Sequence, residues 1–219
     1  MFASGGREVN PFTIDRRFIL SPLRRVSSYR SFAHTRRNVI GCFTMSPPSL
    51  DKLRILQYPS PILSRAAEPV EEFDDALRAL ASRMLALMRE AKGVGLAAPQ
   101  VGMGIRLFVC NPTGEEGDDI VCVNPTLTEL TGAAEEEEGC LSIPGVTVNI
   151  RRATSAVLKR HNLEGHAITQ HATDLVARIW QHEADHLDGR LILDQMSTAD
   201  EIVNRRAIKQ LKEQYQAEK

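Results

Sequence analysis

The segment Gln-His-Glu-Ala-Asp-His at residues 181–186 has the residue types of a hydrolytic metal site. His182 and His186 are four residues apart, so on a helix both imidazoles lie on one face and can bind the same ion. Glu183 adjoins the first histidine and can serve as a general acid–base. This HExxH pattern predicts a metal-dependent hydrolase. The simpler interpretation is two surface histidines on a charged helix.

A third metal ligand is expected upstream of this motif. A catalytic metal usually has three protein ligands and an open position for water. No histidine follows His186, and the position at which an extended HExxHxxGxxH pattern has its last histidine is Ile192. Cys140 is the best candidate, because a thiolate is a strong donor and the preceding Gly139 lets the backbone approach an ion closely.

A glycine-rich segment, GVGLAAPQVG, occupies residues 93–102. Glycines allow a backbone to run beside a ligand, although a helix stop followed by a packed turn would have the same composition. The segment is not a phosphate-binding loop. It contains no GKS or GKT, and GxGxxG fails because Ala98 stands at the last glycine position.

Hydrophobic periodicity predicts the elements that position these motifs. We expect an α+β fold in which antiparallel or mixed β-sheets pack around a central helix that carries the HExxH motif. The acidic residues 135–137 are expected in a solvated loop. Helices are predicted at residues 71–92, 173–187 and 199–217, and strands at 106–110, 120–125, 146–150 and 155–161.

Composition limits the class of protein and its partners. The 219 residues are 42% hydrophobic and 25% charged, with a net charge of −1, which suits one soluble domain with a short appendage. No apolar run approaches the roughly 18 residues of a membrane span. We therefore expect no membrane and no direct nucleic-acid partner. The four scattered cysteines favour a reducing compartment over a disulfide scaffold.

Residues 1–44 differ in composition from the rest of the chain. They contain eight arginines, no lysine and only two acidic residues. Two hypotheses fit this leader. It is a disordered or mis-assigned start preceding a single catalytic domain at residues 45–219 in a bacterial-type cytoplasm, which we favour. Alternatively, it is a transit peptide for a mitochondrion or plastid. A nucleic-acid-binding arm is a third, weaker interpretation.

Together, GVGLAAPQ, EGCLS and QHEADH occur in the order and at the intervals of the three motifs of peptide deformylases, and the chain resembles that family from about Met45 to Met196. The resemblance implies an enzyme that removes the formyl group from the N-terminal methionine of newly made polypeptides and releases formate. It also implies one divalent metal ion as cofactor, usually Fe(II) in this family, with zinc often a poorer substitute. We expect a monomer whose partners are formyl-Met nascent chains, with at most a weak ribosome contact.

The resemblance also implies roles for particular residues. Cys140, His182 and His186 would bind the metal, and Glu183 would be the catalytic carboxylate. Gln100 and the backbone N–H of Leu141 would stabilise the oxyanion. Positions that match the family's contacts to the substrate backbone are Val94, Gly95 and Gly139.

One departure from the family pattern concerns Thr147, where many bacterial relatives carry arginine or tyrosine. It affects expectations about peptide contacts beyond the methionine and not those about the reaction. Two alternatives remain at this point. A zinc endopeptidase that uses HExxH would need a third ligand after Gly189. A non-catalytic module that binds ribosomes or nascent chains would be expected to have lost Glu183, Gln100 or a metal ligand.

Overall fold

Two antiparallel sheets and three α-helices form the architecture of the computed structural model, which describes residues 50–217. The α+β class with antiparallel sheets is therefore confirmed. The helices are α1 (Asp75–Glu90), α2 (Asp174–Leu187) and α3 (Thr198–Ala217). The strands are β1 (Gly95–Ala97), β2 (Leu107–Cys110), β3 (Ile120–Thr131), β4 (Ala134–Gly139), β5 (Thr147–Arg152), β6 (Ser155–His161) and β7 (Ala167–Thr173).

The larger sheet has the order β1-β2-β3-β6-β7 and lies between α1 and α2. Successive residues of a strand face opposite sides of the sheet. Leu107 and Val109 of β2 accordingly join the core cluster of α1, whereas Phe108 and Cys110 join that of α2. All four residues of β2 are fully buried, which explains why this strand is a continuous apolar run and does not alternate.

The smaller sheet pairs β4 with β5. Its apolar side contributes Val148 and Ile150 to a third core cluster, which also contains Leu191 and, from α3, Leu211. Polar α3 therefore packs on the small sheet through few buried residues. None of the helices in the described part of the chain is long and apolar enough to span a membrane.

The ends of the two long helices determine where the motif residues lie. Helix α1 begins after Asp74, whose side chain accepts a hydrogen bond of 2.9 Å from Leu77 N–H. It ends with Lys92 in the left-handed conformation (φ 55°), while Gly93 N–H bonds back to the Met88 carbonyl at 2.9 Å, a Schellman cap. The chain then turns directly into the glycine-rich segment.

Helix α2 contains His182, Glu183 and His186, and it ends directly after them. Gly189 has a φ of 72°, and a Cβ at this position would lie 2.8 Å from the backbone of Arg65. A larger residue would strain the turn and push against the neighbouring chain. The HExxH residues therefore occupy the last turns of α2, close to the segment that precedes α1.

Several sequence predictions differ from the structure. Helix α1 begins at Asp75 and not at residue 71, because the Asp74 side chain caps it. The expected loop at residues 135–137 is wrong: these glutamates belong to β4, where every residue pairs with β5. Strands β1 and β7 were not predicted, since β1 is only three residues long and β7 alternates polar residues with few apolar ones. The predicted leader, residues 1–44, lies outside the described residues.

Candidate metal centre

Three candidate metal donors come together where α2 meets the segment after β4. One ligand atom from each of Cys140, His182 and His186 lies within 4.8 Å of the other two. Cys140 Sγ is 3.2 Å from His186 Nε2, and the two imidazole centroids are 5.1 Å apart. Within residues 50–217, this is the only group of three His, Cys, Asp or Glu side chains close enough to share an ion.

The surroundings of these donors suit a bound cation. Burial lowers the pKa of His186 well below 6.5, which favours the neutral imidazole that binds metals. Burial also raises the pKa of the Cys140 thiol to about 12, although backbone hydrogen bonds from Ser142 and Ile143 oppose the shift. A thiolate is stable in such a place only beside a positive charge, and a divalent ion supplies it. The donor set therefore fits a metal site.

Glu183 lies beneath the glycine-rich segment. Its side chain is 4% exposed, and a Cβ on Gly95 would overlap its carboxylate. Burial raises the pKa of Glu183 well above 4.5, and the nearby Cys110 adds to the effect. Its Oε2 atom has no hydrogen-bond partner within the described residues. A buried carboxylate with an unpaired oxygen beside three metal donors is placed to take a proton from a water molecule.

Gln100 and Leu141 supply hydrogen-bond donors close to Cys140. Gln100 is buried, and its Oε1 accepts a 2.8 Å bond from the Ala97 N–H, so its amide nitrogen points the other way. That nitrogen is 3.1 Å from Ser142 Oγ and 3.6 Å from Cys140 Sγ. The N–H of Leu141 makes no hydrogen bond to another described residue. Both predicted oxyanion donors are therefore next to the cysteine.

A buried ion-pair network stands behind His182. Glu138 Oε2 is 2.9 Å from His182 Nδ1, which leaves Nε2 of the same ring for an ion. Arg152 holds both oxygens of Glu138, with distances of 2.6 and 2.9 Å, and Arg178 Nη1 is 2.7 Å from Oε1. Arg152 also reaches Asp185 Oδ2 at 2.8 Å. Burial alone would raise the pKa of Glu138, but the hydrogen bonds from His182 and Arg152 lower it to about 2.

Sequence reasoning named Glu138 only as a motif position and missed its partners. Arg178, His182 and Asp185 recur at helical spacing on α2, so they share one face of the helix with a predicted ligand. That spacing could have predicted from the sequence that Arg178 and Asp185 lie near His182. No sequence pattern could have predicted the position of Arg152, because its contacts come from the pairing of β5 with β4.

The donor group opens into a cleft of about 480 Å³. Two strands that lack a partner on one side, β1 and β4, contribute to its walls. The predicted substrate-contact residues Val94, Gly95 and Gly139 all line it. Its apolar lining consists of Val94, Leu141, Ile143, Val146, Leu175 and Ile179.

Replacing Glu138 by glutamine tests the network. In Glu138→Gln, two buried arginines each lose one of their anionic partners, and breaking a buried pair typically costs about 3–5 kcal/mol. We expect a loss of that order in the free energy of unfolding, measured with urea, and a 10–100-fold weaker affinity for metal. Glu135→Gln, on the exposed side of the same strand, should change neither quantity. Unchanged metal affinity in Glu138→Gln would contradict the orienting role.

The pKa of Glu138 also predicts how this loss varies with pH. The folded pKa is about 2 and the usual value is 4.5. Its ionised form therefore stabilises the fold fully above pH 4.5, and that contribution disappears as the pH falls through 2. The difference in unfolding free energy between wild type and Glu138→Gln should narrow over this interval. A difference that stays constant would show that the carboxylate charge is not the stabilising feature.

Comparisons with known proteins identify the family of this chain. A sequence model of the family described as polypeptide deformylase matches residues 52–201. Among curated proteins, a peptide deformylase of Acidobacterium capsulatum is 43% identical over 145 residues, covering 65% of this chain and 85% of that protein. A chloroplastic peptide deformylase 1B of rice, Oryza sativa subsp. japonica, is 35% identical over 213 residues, covering 89% of this chain and 79% of the relative.

Solved structures show the same relationship. A peptide deformylase from Plasmodium falciparum superimposes with a TM-score of 0.73 at 34% identity, covering 75% of this chain and 98% of that one. One from Legionella pneumophila gives a TM-score of 0.70 at 39% identity, with coverages of 76% and 99%. The sequence match, the fold and the grouped Cys140, His182 and His186 lead to one conclusion: the chain belongs to the polypeptide deformylase family.

Proposed function

We propose that Cys140, which follows β4, and His182 and His186 of α2 bind a divalent metal ion. We also propose that Glu183 is the general acid–base of the reaction. The observation that supports this most directly is that the three donors lie within 4.8 Å of one another, and that Cys140, His182 and Glu183 line a cleft with two open strand edges. As a peptide deformylase, the chain is an enzyme that removes the N-formyl group of newly synthesised proteins. The products are formate and a free amino terminus.

Glu183 moves the proton in this scheme. Its buried carboxylate accepts a proton from the attacking water, and the high pKa makes that transfer more favourable. The new bond forms between the water oxygen and the formyl carbon. Glu183 then returns the proton to the methionine nitrogen as the carbon–nitrogen bond breaks. The buried site limits access of bulk water to this proton.

Gln100 and Leu141 act on the formyl oxygen, where negative charge develops. The Gln100 amide is held by its acceptor bond from Ala97, so little reorganisation is needed during the reaction. The Leu141 N–H is free within the described residues to donate to the same oxygen. One such donor typically stabilises a transition state by about 3 kcal/mol.

The substrate binds as an extended strand. Val94 and Gly95 lie at the open edge of the five-stranded sheet, and Gly139 lies at the open edge of β4. An extended peptide can pair its backbone with such edges, which gives affinity for many sequences. The methionine side chain enters the apolar part of the cleft beside Ile179.

We propose Fe(II) as the native metal, following the resemblance, with zinc as a weaker substitute. A thiolate and two imidazoles suit either ion. When bound, the metal lowers the pKa of water toward 7 and polarises the formyl oxygen. The chain's part is to hold that ion, with Glu138 fixing the His182 ring.

The two alternatives are less well supported. A zinc endopeptidase needs a third ligand after Gly189, but the donor that joins the histidines in the described residues is Cys140. A non-catalytic module predicts the loss of a functional side chain, whereas Glu183, Gln100 and the three donors are all present.

For cellular context, we propose a monomer that acts on formyl-Met chains as they leave the ribosome, in a bacterial-type cytoplasm. Its relatives include bacterial proteins and a chloroplastic or mitochondrial protein of Arabidopsis thaliana. The alignment with the rice protein covers 89% of this chain, more than residues 45–219 make up, so it extends into the leader. An organellar location therefore stays the competing hypothesis.

Cys140→Ala tests the ligand set. Cys140 is the only ligand of the three that becomes anionic, so we expect metal content to fall far below one ion per chain. Formate release from formyl-Met-Ala-Ala should fall with it. Cys122→Ala, which removes a buried thiol outside the cleft, is the matched control and should keep both properties. A Cys140→Ala protein with stoichiometric metal and normal formate release would rule out the assignment.

Glu183→Gln separates metal binding from proton transfer. Because Glu183 is not a ligand, metal content should stay near one ion per chain. The turnover number should fall about 10²–10⁴-fold, the usual contribution of a general acid–base. Asp188→Asn, at the exposed end of α2, should retain turnover. More than a tenth of wild-type turnover in Glu183→Gln would exclude this residue as the proton carrier.

A protein that starts at Met45 tests the domain organisation. All three motifs lie downstream of that residue, so we expect full deformylation activity and the stability of the full chain. Urea unfolding and formate release are measured for the full chain and for the protein that starts at Met45. If the shorter protein has a free energy of unfolding lower by more than about 1 kcal/mol, a large fraction of the stability of a typical domain, residues 1–44 belong to the fold.

A further inference from the structure

Two exposed charged side chains that line the cleft lack an ion-pair partner within the described residues. Its charged lining includes Glu138 and Arg178, which neutralise each other at 2.7 Å, and Glu183, which is buried. The remaining two are Lys92 and Glu137. Both are exposed, and neither side chain makes a hydrogen bond or ion pair with another described residue. These charges are therefore available to a ligand in the cleft.

Glu137 differs from the other glutamates of β4 in its neighbours. Glu136 pairs with Arg178 at 3.1 Å, and Glu135 lies directly opposite Arg151. Glu137 instead lies opposite Asn149, and its diagonal neighbours on the same face of the sheet are Thr147 and Arg151. Arg151 is directly opposite Glu135 and forms no ion pair with Glu137, so the Glu137 carboxylate has no ion-pair partner among the described residues at the cleft wall.

Lys92 stands on the other wall in a conformation that favours glycine. It is the left-handed residue of the cap that ends α1, with a φ of 55°. Non-glycine residues held in this region are strained, and such residues cluster at functional sites. A lysine here places a positive charge in the cleft lining at a position where a glycine would satisfy the cap.

Both charged residues lie three positions along the chain from a residue of the candidate site. Lys92 precedes Gly95 by three residues, and Glu137 precedes Cys140 by three. Three residues span at most about 10 Å. If the formyl group of an extended peptide lies at the metal donors, the second and third residues of that peptide also lie within about 10 Å of the donors.

We propose that Glu137 and Lys92 make the enzyme selective for charge at the second and third residues of its formyl-Met substrates. Glu137 favours a basic side chain there, and Lys92 favours an acidic one. This inference rests on the proposed function and extends it to the sequence that follows methionine. Neutral substrates do not depend on either charge.

The test measures kcat/KM for a set of formylated peptides. The set is formyl-Met-Ala-Ala, formyl-Met-Lys-Ala, formyl-Met-Ala-Lys and the two glutamate counterparts. Of the two lysine peptides, the one with the higher kcat/KM for wild type is used to test Glu137. Glu137→Gln should lower kcat/KM for that peptide about two- to five-fold relative to the neutral peptide, as expected for an exposed ion pair. Lys92→Gln should do the same for the better glutamate peptide.

Matched controls separate charge in the cleft from charge elsewhere. Glu135→Gln is on the same face of the same strand but outside the cleft, and Lys159→Gln is an exposed lysine on β6. Both should leave all ratios unchanged. Near 1 M salt, where the Debye length is about 3 Å, the selectivity of the wild type should largely disappear.

Two results would overturn the inference. One is that Glu137→Gln and Lys92→Gln leave the ratios of kcat/KM between charged and neutral peptides unchanged, or that Glu135→Gln changes these ratios by the same amount. The other is selectivity that persists in high salt, which would assign it to shape and not to charge. Failure of the proposed function is distinct from both, because wild type would then release no formate even from formyl-Met-Ala-Ala.

Discussion

The carboxylate of Glu138 is shared by Arg152, Arg178 and His182, and the geometry of the candidate centre depends on this arrangement. It joins three elements, since Glu138 is on β4, Arg152 on β5, and the other two on α2. Charges buried away from water are stable only when each finds its partner. The small sheet and α2 can therefore dock in few positions. Cys140, two residues beyond Glu138, is carried to the histidines by the same docking.

Close backbone approach is the second constraint. Side chains at Gly93 and Gly95 would collide with Leu141 and Glu183, respectively. The segment after α1 consequently lies against the end of α2, and the carboxylate of Glu183 is covered without being hydrogen-bonded at Oε2. All three residues of β1 are buried, and no described strand pairs with its outer edge. The glycine-rich segment thus covers the proposed acid–base and lies beside the strand edge that is proposed to bind the peptide.

Open strand edges are usually a liability, because they can pair with other chains. In this protein the edges of β1 and β4 both contribute to the cleft, and each is short. The exposed glutamates of β4 add charge that disfavours pairing with a second copy. In the proposed selectivity, the glutamates that protect this edge also set the charge that a substrate meets there.

The sequence alone predicted the residues of the candidate centre and most of the elements that carry them. HExxH spacing on an amphipathic helix is a local property, so His182, Glu183 and His186 could be predicted from periodicity. Cys140 was predicted because a catalytic metal usually needs a third protein ligand. The reaction was predicted from the resemblance of three motifs to those of peptide deformylases. Helix α2 and strand β6 lie where the patterns predicted them, with α2 one residue shorter.

Only the tertiary structure decided what surrounds those residues. A run of glutamates has a low strand propensity, and pairing with β5 makes it a strand. The partners of Glu138 are distant in sequence, and no local pattern predicts that Arg152 will join Glu138 to Asp185 behind His182. The unpaired charges of Lys92 and Glu137 are likewise visible only when the walls of the cleft are assembled. The spacing of residues along the chain predicts which side chains share a face of one helix or strand. Burial and charge pairing depend on which helices and strands pack together.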